Sequence, residues 1–444
     1  MHKSAIHLFT LFSSVALCCA PLSGAEPETV APDHHEGRKA SLTLADLESI
    51  AESNNPTLAQ AAAVIDASRG SALQAGLYPN PIIGYQGEQI GAEGTAGELQ
   101  GIFIEQQFIT AGKLRLSRAK YQQEAVMAEI QAMAQRYRVL NSVRLHFWDA
   151  LTAQQLVVAR RDLLGIAENA AGTTEQLVNV GQANRPDLLQ AQIEVQRARV
   201  QLRNAQQHYQ GQLAQLAAVA GRPDLCAVSL AGRLDVEGPA PDWDKTLCDL
   251  LAASPEMQLA HAEVSRDQIT VERERVEPVP NVAAQVATGY NYETRNSVAN
   301  VSIGLNIPLF DRNQGTIQQA QADLARAEAN VARVELSLRR RFADAATRYS
   351  TARVSVDDYR QATLPKAKEA YELLQANFQD RRAAWPQVLV ANRNYVEFIV
   401  DYLESLRELR RAEVEIKGLL LVDGLEEPPG PTPQGHIDAV PKPR

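Results

Sequence analysis

The sequence predicts a mainly α-helical chain with a small β part, built as two structural repeats of one unit. Three observations carry that prediction. Helix breakers are absent over long stretches, with no Gly from Lys113 to Leu164 and no Pro from Ile82 to Arg185. Four short segments alternate apolar and polar residues, the period of a strand with unlike faces. The same order of features occurs twice, with an offset near 200 residues. Composition agrees: the 444 residues include only 9 Phe, 3 Trp and 12 Tyr, and mean hydropathy is -0.25. A net charge of -9 argues against a nucleic-acid binder. The body has no apolar run of about 18 residues, so no helical membrane span is expected there.

Taken from the N-terminus, residues 1–25 read as a secretory signal peptide: Lys3, an apolar stretch from Ala5 to Ala20, then Ser23-Gly24-Ala25. Neither Cys18 nor Cys19 sits in a good lipidation context, and lipid attachment is left open. Residues 26–41 are polar and expected to be flexible. Their Asp33-His34-His35-Glu36 cluster reads as a solvated tail rather than a metal site, because nothing fixes ligand geometry.

Each repeat then opens with paired helices. "LADLESIAESNNPTLAQAAAVIDASRGSALQAGLYPNP" (Leu44–Pro81) parallels "WDKTLCDLLAASPEMQLAHAEVSRDQITVERERVEPVPN" (Trp243–Asn281), both with a break before Pro56 or Pro255 and a closing Pro-Asn turn. The first repeat spans 42–221 and the second 243–424. A Pro/Gly-rich linker, 222–242, joins them, and 425–444 is a Pro-rich flexible tail. Cys226 and Cys248 are candidates for a disulfide in an oxidising compartment; spacing alone leaves the bond open.

Hairpins follow at 82–109 and 282–309. In the second, Val301, Ile303, Leu305, Ile307 and Leu309 alternate with polar or small residues. In the first, Ile102, Ile104 and Phe108 share a face. Strands of about ten residues are long enough to cross a bilayer when tilted. Four per chain cannot close a membrane barrel, whose minimum is about eight, and an open edge cannot face lipid. Several chains must then share one barrel; three copies supply twelve strands.

Long helices follow each hairpin. Val126, Ile130, Met133, Tyr137, Leu140, Phe147 and Leu151 form a 4-3 seam in which Arg144 occupies one slot. Gly165 and Gly172 predict breaks, and a second helix runs from Asp187 towards Gly221. In the second repeat Pro365 and Pro386 punctuate the helical run. "VGQANRPDLLQAQ" (Val180–Gln192) parallels "DRRAAWPQVLVAN" (Asp380–Asn392).

With these residues on the page, the chain resembles the TolC family of outer-membrane efflux proteins over almost its whole mature length. The features are the twofold repeat, the Pro-Asn turns before each first strand, and the strand-to-helix junctions. "QQFITAGKLRLSRAK" (Gln106–Lys120) is similar to the heavy-metal, CzcC-type branch, and "IPLFDRNQGTIQQAQ" (Ile307–Gln321) to a common family junction. The resemblance implies a homotrimer with a twelve-stranded barrel in the outer membrane and an α-helical barrel reaching into the periplasm. It implies docking to a periplasmic adaptor protein and an inner-membrane pump of the resistance-nodulation-division type, with no chemical conversion. It places the periplasmic tip near 172–187 and 372–387. There Asp187 matches one position of the family's aspartate ring, while Gln190 and Gln387 stand at others, so the ring is sparser. Arg185, Asp380, Arg381 and Arg382 are candidates for a helix latch or adaptor contact.

No cofactor is expected. His146, His208 and His261 are spread through helices without metal-ligand spacing, and no nucleophile or phosphate-loop motif occurs. The leading function is a passive outer-membrane exit duct for tripartite efflux, with heavy-metal cations the cargo considered first. The alternatives are a duct for drugs or secreted polypeptide, and an exported coiled-coil scaffold with no pore.

Overall fold

The computed structural model describes residues 41–90, 98–225, 229–235, 239, 241–380, 382–383 and 385–429. The predicted signal peptide, residues 26–40 with the Asp33–Glu36 cluster, Cys226, Arg381 and the tail from 430 lie outside the described residues. So do 91–97, most of the predicted first hairpin loop.

Each repeat opens on two helices split by a single extended residue. In the first, α1 (Leu44–Asn54) is started by Thr43, whose side chain accepts from Asp46 N while Asp46 reciprocates. Asn55 then breaks the helix and caps α2 (Pro56–Ala75), with Pro56 at its first turn. The second repeat uses the same device: Asp242 caps α5 (Trp243–Ala253), and Ser254 precedes Pro255 of α6 (Pro255–Val276).

After each pair comes a hairpin: β2 (Ile82–Glu88) with β3 (Leu99–Phe108), and β5 (Val282–Asn291) with β6 (Asn296–Leu305). The four strands make one antiparallel sheet in the order β2-β3-β5-β6, so the β3–β5 pairing joins the repeats. β6 starts before and ends earlier than the alternation suggested. Ile307 and Leu309 fall past its end, where Pro308 has no N–H to donate to a ladder.

The long helices differ from expectation in an instructive way. α3 (Lys113–Asn179) runs unbroken for 67 residues, about 100 Å, straight through Gly165 and Gly172. A glycine costs a helix only about 1 kcal/mol, and packing against α4 (Arg185–Val219) outweighs it. In the second repeat α7 (Gln314–Asp358) passes through one π-turn at Tyr359–Thr363 into α8 (Leu364–Gln379). Pro365 sits in that first turn, where the missing N–H is tolerated, so it does not end the run. α9 (Trp385–Lys417) returns alongside.

The main core gathers where α1, α3, α4, α5, α7 and α9 meet. Phe147, Leu151, Leu338, Phe342 and Leu409 lie there, and Trp243 packs edge-on against Phe342 and Tyr349. The inter-repeat segment contributes too. β4 (Ser229–Leu230) pairs in parallel with β1 (Ser41–Leu42), and Leu230 and Leu234 are buried. The segment read as a Pro/Gly-rich linker is therefore partly pinned against the core.

The chain end is also held further than the composition indicated. Asn141 Nδ2 donates to Gly418 O (2.8 Å) and Leu421 O (2.7 Å), across a turn in which Leu419 and Leu420 are left-handed. Gln135 Nε2 donates to Glu426 O (3.1 Å), and Pro428 is buried. Asn141→Ala should lower stability by roughly 2–4 kcal/mol, since two buried carbonyls lose their donor. Thermal unfolding of the variant checks this; an unchanged Tm would show that the staple is dispensable.

Candidate functional site

Three places combine exposure, charge and position. They are the sheet, its junction with the helices, and the far ends of the helical hairpins.

In an antiparallel sheet, directly opposed residues share a face. The register therefore sorts the sheet. Ile83, Ile104, Val286 and Val301 form one row across all four strands, flanked by the row Tyr85, Ile102, Thr288 and Ala299. The opposite face carries the rows Ile82-Glu105-Gln285-Ser302 and Gly84-Phe103-Ala287-Asn300. One face is thus apolar and the other mixed, with Glu105, Gln285, Ser302 and Asn300 standing among Ile82, Gly84, Phe103 and Ala287. The apolar face is uncovered in a single chain: Ile83 is 73% exposed, Val301 68% and Ile303 71%. Aromatic rings mark both ends of this face. Tyr290 and Tyr292 meet edge-on at 5.0 Å beside the β5–β6 turn, and Phe108 and Phe310 are exposed at the helical end. β2 and β6 are the two edges, with no strand paired to their outer sides among the described residues.

Below the sheet, the first junction motif meets the Pro-Asn turn of the second repeat. Thr110 Oγ1 donates to Pro280 O (2.6 Å), and Lys113 Nζ donates to Val279 O (2.6 Å) and Asn281 Oδ1 (3.1 Å). Gly112 starts α3 with a φ of 67°, which a residue with a side chain rarely adopts. A seam of buried charge continues between α3 and α6. Arg273 Nη1 pairs with Glu277 (2.7 Å), and its Nε donates to Ser117 Oγ (2.9 Å). Glu274, fully buried, accepts from Asn313 Nδ2 (2.7 Å), and Arg266 pairs with Asp267 (2.8 Å). Burial lowers the pKa of Lys113, opposed by Glu277. Sequence reasoning did not single out this network, because "ERER" near a helix end reads as a solvated charge run.

The hairpin ends repeat atom for atom. Gln182 N and Ala183 N both donate to Leu177 O (2.7 and 3.1 Å); Arg382 N and Ala383 N both donate to Asn377 O (2.7 and 3.2 Å). The turns are thus 180–184 and 380–384, at the end of each expected interval. Asn184 accepts from Asp187 N (3.1 Å) and caps α4, placing the Asp187 carboxylate in the first turn, where the helix dipole favours it. Gln190 is exposed one turn on, and Gln387 is exposed in the first turn of α9. Arg185, Asp380 and Arg382 are exposed and make no ion pair among the described residues. The pair that does tie the two hairpins is Glu194 of α4 with Arg393 of α9, which sequence reading missed. Beside it Tyr371 stacks on Tyr395 and packs with Ala191 and Val388.

Two spaces flank these hairpin ends. A cavity of about 30 Å³ lies between the α3/α4 and α8/α9 pairs; the α3 and α4 positions lining it are Ile166, Ala167, Ala170, Thr173, Ala191 and Glu194. An open groove of about 820 Å³ lies on the other side of α8/α9. Its lining includes Lys366, Ala367, Ala370, Ala391 and Asn394, which are five of those six positions moved on by 200.

Elsewhere, Arg144 is settled as an inter-helix partner, its Nε donating to Glu48 Oε1 at 2.6 Å. Phe147 and Leu151 of the 4-3 seam are buried, but Val126, Met133 and Tyr137 are exposed on the single chain, leaving an apolar stripe uncovered. His146 is half-buried, and desolvation lowers its pKa. Among the described residues no group of His, Cys, Asp and Glu is arranged to hold a metal ion, and no helix is long and apolar enough to cross a membrane. Cys248 is exposed and free; its candidate partner Cys226 lies outside the described residues.

A family model described as outer membrane efflux protein matches the chain twice, over residues 47–222 and 247–420. The chain is 27% identical over 384 residues to the cobalt-zinc-cadmium resistance protein CzcC of Cupriavidus metallidurans, covering 85% of this chain and 90% of that one. Among solved structures it superposes on the outer membrane protein VceC from Vibrio cholerae, with a TM-score of 0.71 and 18% identity, covering 86% of this chain and 97% of VceC. It superposes likewise on the open state of the Neisseria gonorrhoeae MtrE outer membrane channel, with a TM-score of 0.72 and 16% identity, covering 86% and 90%.

The buried seam yields a direct test. Arg273→Met leaves Glu274 and Glu277 short of their cation and should cost about 3–5 kcal/mol. Adding Glu277→Leu should restore part of the loss. Thermal unfolding of both variants checks it, and an undiminished Tm for Arg273→Met would remove the seam's structural role.

Proposed function

Because the chain belongs to the outer membrane efflux protein family, we propose that it is the outer-membrane exit duct of a tripartite efflux system and passes heavy-metal cations. Three copies would share one twelve-stranded barrel, with the helices projecting into the periplasm towards an adaptor protein and an inner-membrane pump. The observation that carries this reading is the sheet: an exposed apolar face, a more polar opposite face, and two open edges. Lipid supplies no hydrogen bonds, so such edges are stable only when paired with another chain. Closure would turn the apolar face to lipid and line the lumen with Glu105, Gln285, Ser302 and Asn300.

The 200-residue repeat supports the threefold ring independently. Within one chain the α3/α4 face around Ala191 is covered by α8/α9. The equivalent face around Ala391 is the open groove, so the α3/α4 hairpin of a second copy fits it by the same geometry. Leu189, half exposed, is the repeat equivalent of Leu389, which is buried. The bare Val126–Tyr137 stripe is a second surface that a neighbouring copy would cover.

Transport of metal is supported by the CzcC relative, by the acidic net charge and by Glu105 on the lumen face. Near the tip, three copies of Asp187 with Gln190 and Gln387 would form a polar constriction with a single carboxylate per chain. Arg185, Asp380, Arg381 and Arg382, exposed or next to exposed positions, are the proposed contacts with neighbouring helices or the adaptor. The duct itself catalyses no reaction in this reading; the pump supplies energy and selects cargo.

Planar-bilayer conductance of the purified protein tests the pore. Val286→Arg, on the apolar face, should cost about 2–4 kcal/mol and impair membrane assembly, whereas Gln285→Arg on the lumen face should assemble and shift ion selectivity towards anions. A soluble, non-conducting protein would make it a scaffold. Deletion should raise sensitivity to zinc, cobalt and cadmium; sensitivity to a drug panel alone would move the cargo from metals to drugs.

A further inference from the structure

A charged cavity between α6 and α7 has no role in the proposed duct. The helices α2, α3, α6 and α7 pack side by side in that order. Between the last two lies a cavity of about 540 Å³, whose lining includes Glu263, Arg266, Asp267, Arg326, Asn330 and Arg333. Arg266 precedes Val276, the last residue of α6, by ten positions. That places it about 15 Å along the helix from the sheet, in the helical body rather than the membrane part.

The hydrogen-bonding groups of this cavity are out of balance. Both carboxylates are already engaged. Glu263 Oε2 accepts from Asn330 Nδ2 (3.1 Å), and Asp267 Oδ1 accepts from Arg266 Nε (2.8 Å). The donors are not used up. The Arg266 side chain is only 3% exposed, yet its Nη1 is buried with no hydrogen-bond partner among the described residues. Arg333 donates its Nε to Asn330 Oδ1 (2.8 Å) and pairs with no carboxylate among the described residues. Arg326 meets Asp323 (3.1 Å) one turn away, with its own guanidinium largely in solvent, so the pair contributes little. A buried guanidinium nitrogen without an acceptor carries a desolvation cost, which an acceptor entering the cavity would remove. Guanidinium forks suit the oxygens of carboxylate and phosphate groups, and they repel a metal cation.

The duplication supplies an internal control. In these upper helices the offset is 199: Pro56 opens α2 as Pro255 opens α6, and the buried contact of Ala72 with Tyr121 recurs as Val271 with Ala320. By that offset Glu263, Arg266, Arg326 and Arg333 correspond to Val64, Ala67, Met127 and Ala134. The first repeat builds the same helices with no charge at these positions, so the fold does not require the arginines.

We propose that the cavity binds a small multivalent oxyanion, phosphate being the simplest, held by Arg266, Arg326 and Arg333. The site lies within one chain and does not rest on the duct reading. A bound anion would also tie α6 to α7.

Isothermal titration calorimetry of the detergent-solubilised full chain with inorganic phosphate tests it, against sodium chloride at matched ionic strength. Saturable binding of one phosphate per chain is expected, with no saturable heat from chloride. Arg326→Gln with Arg333→Gln changes two exposed positions; it should keep the parent's Tm in phosphate-free buffer and weaken phosphate binding tenfold or more. Arg266→Lys keeps the buried charge but loses the fork, and should weaken binding roughly tenfold. Absence of saturable binding in the parent, or undiminished binding in the double variant, would overturn the proposal. In the proposed ring, a neighbouring copy would lay its α2 beside α7, and the one carboxylate of α2 is Asp66. Equal phosphate binding by the parent and Asp66→Asn is expected. Binding that appears only in Asp66→Asn would show that carboxylate filling the site, and the oxyanion proposal would fall. A non-conducting protein that still binds phosphate would remove the duct and leave this site standing.

Discussion

The structure depends on backbone hydrogen bonds that a single chain cannot complete. Four strands give a sheet with two edges, and the β2 and β6 edges leave a row of N–H and C=O groups unpaired. Water would satisfy them, but the row of Ile83, Ile104, Val286 and Val301 on the adjoining face is shaped for an apolar solvent. In the proposed ring both demands are met, because the sheets of several copies pair edge to edge. On that reading assembly is a condition of the membrane fold rather than an addition to it. The same incompleteness recurs in the helices, where the groove beside Ala391 and the stripe from Val126 to Tyr137 await a second surface.

A sheet that inserts in lipid must still be set rigidly on a long helical body. That task falls to the buried charges under it. Lys113 reaches the carbonyl of Val279 while Arg273 bridges to Glu277 and Ser117, so the last turn of α6 and the first turns of α3 are fixed to one another. Ionic contacts of this kind are directional, unlike a greasy contact that can slide. Farther along, the apolar core around Phe147, Phe342 and Leu409 takes over, and the Asn141 staple keeps the chain end against it.

Duplication explains both the economy of the design and its functional asymmetry. Helix starts, hairpins and turn hydrogen bonds recur at the same offset, because backbone geometry is conserved between the repeats. Side chains have diverged where the two copies do different work. The Glu194–Arg393 pair occurs once, in the seam inside the protomer, and its shifted counterpart is uncharged.

Much was legible in the residues alone. The twofold repeat, the four alternating strands, the long helices and the turns beside Pro186 and Pro386 follow from local physics: periodicity, capping and the conformational limits of proline. Glycines were over-read, since Gly165 and Gly172 mark no break once α4 packs along α3. The 4-3 seam was half right for the same reason: Phe147 and Leu151 face the core, but Val126 and Met133 face away from it. Composition also hid the buried charges, for the same "ERER" string would be a solvated run on any isolated helix. What only the tertiary structure decided was partnership across long sequence distances. It paired β3 with β5, drew Lys113 to Val279, and set Glu194 against Arg393. Local sequence encodes the shape of an element; which distant element shares its buried face is a property of the packed whole.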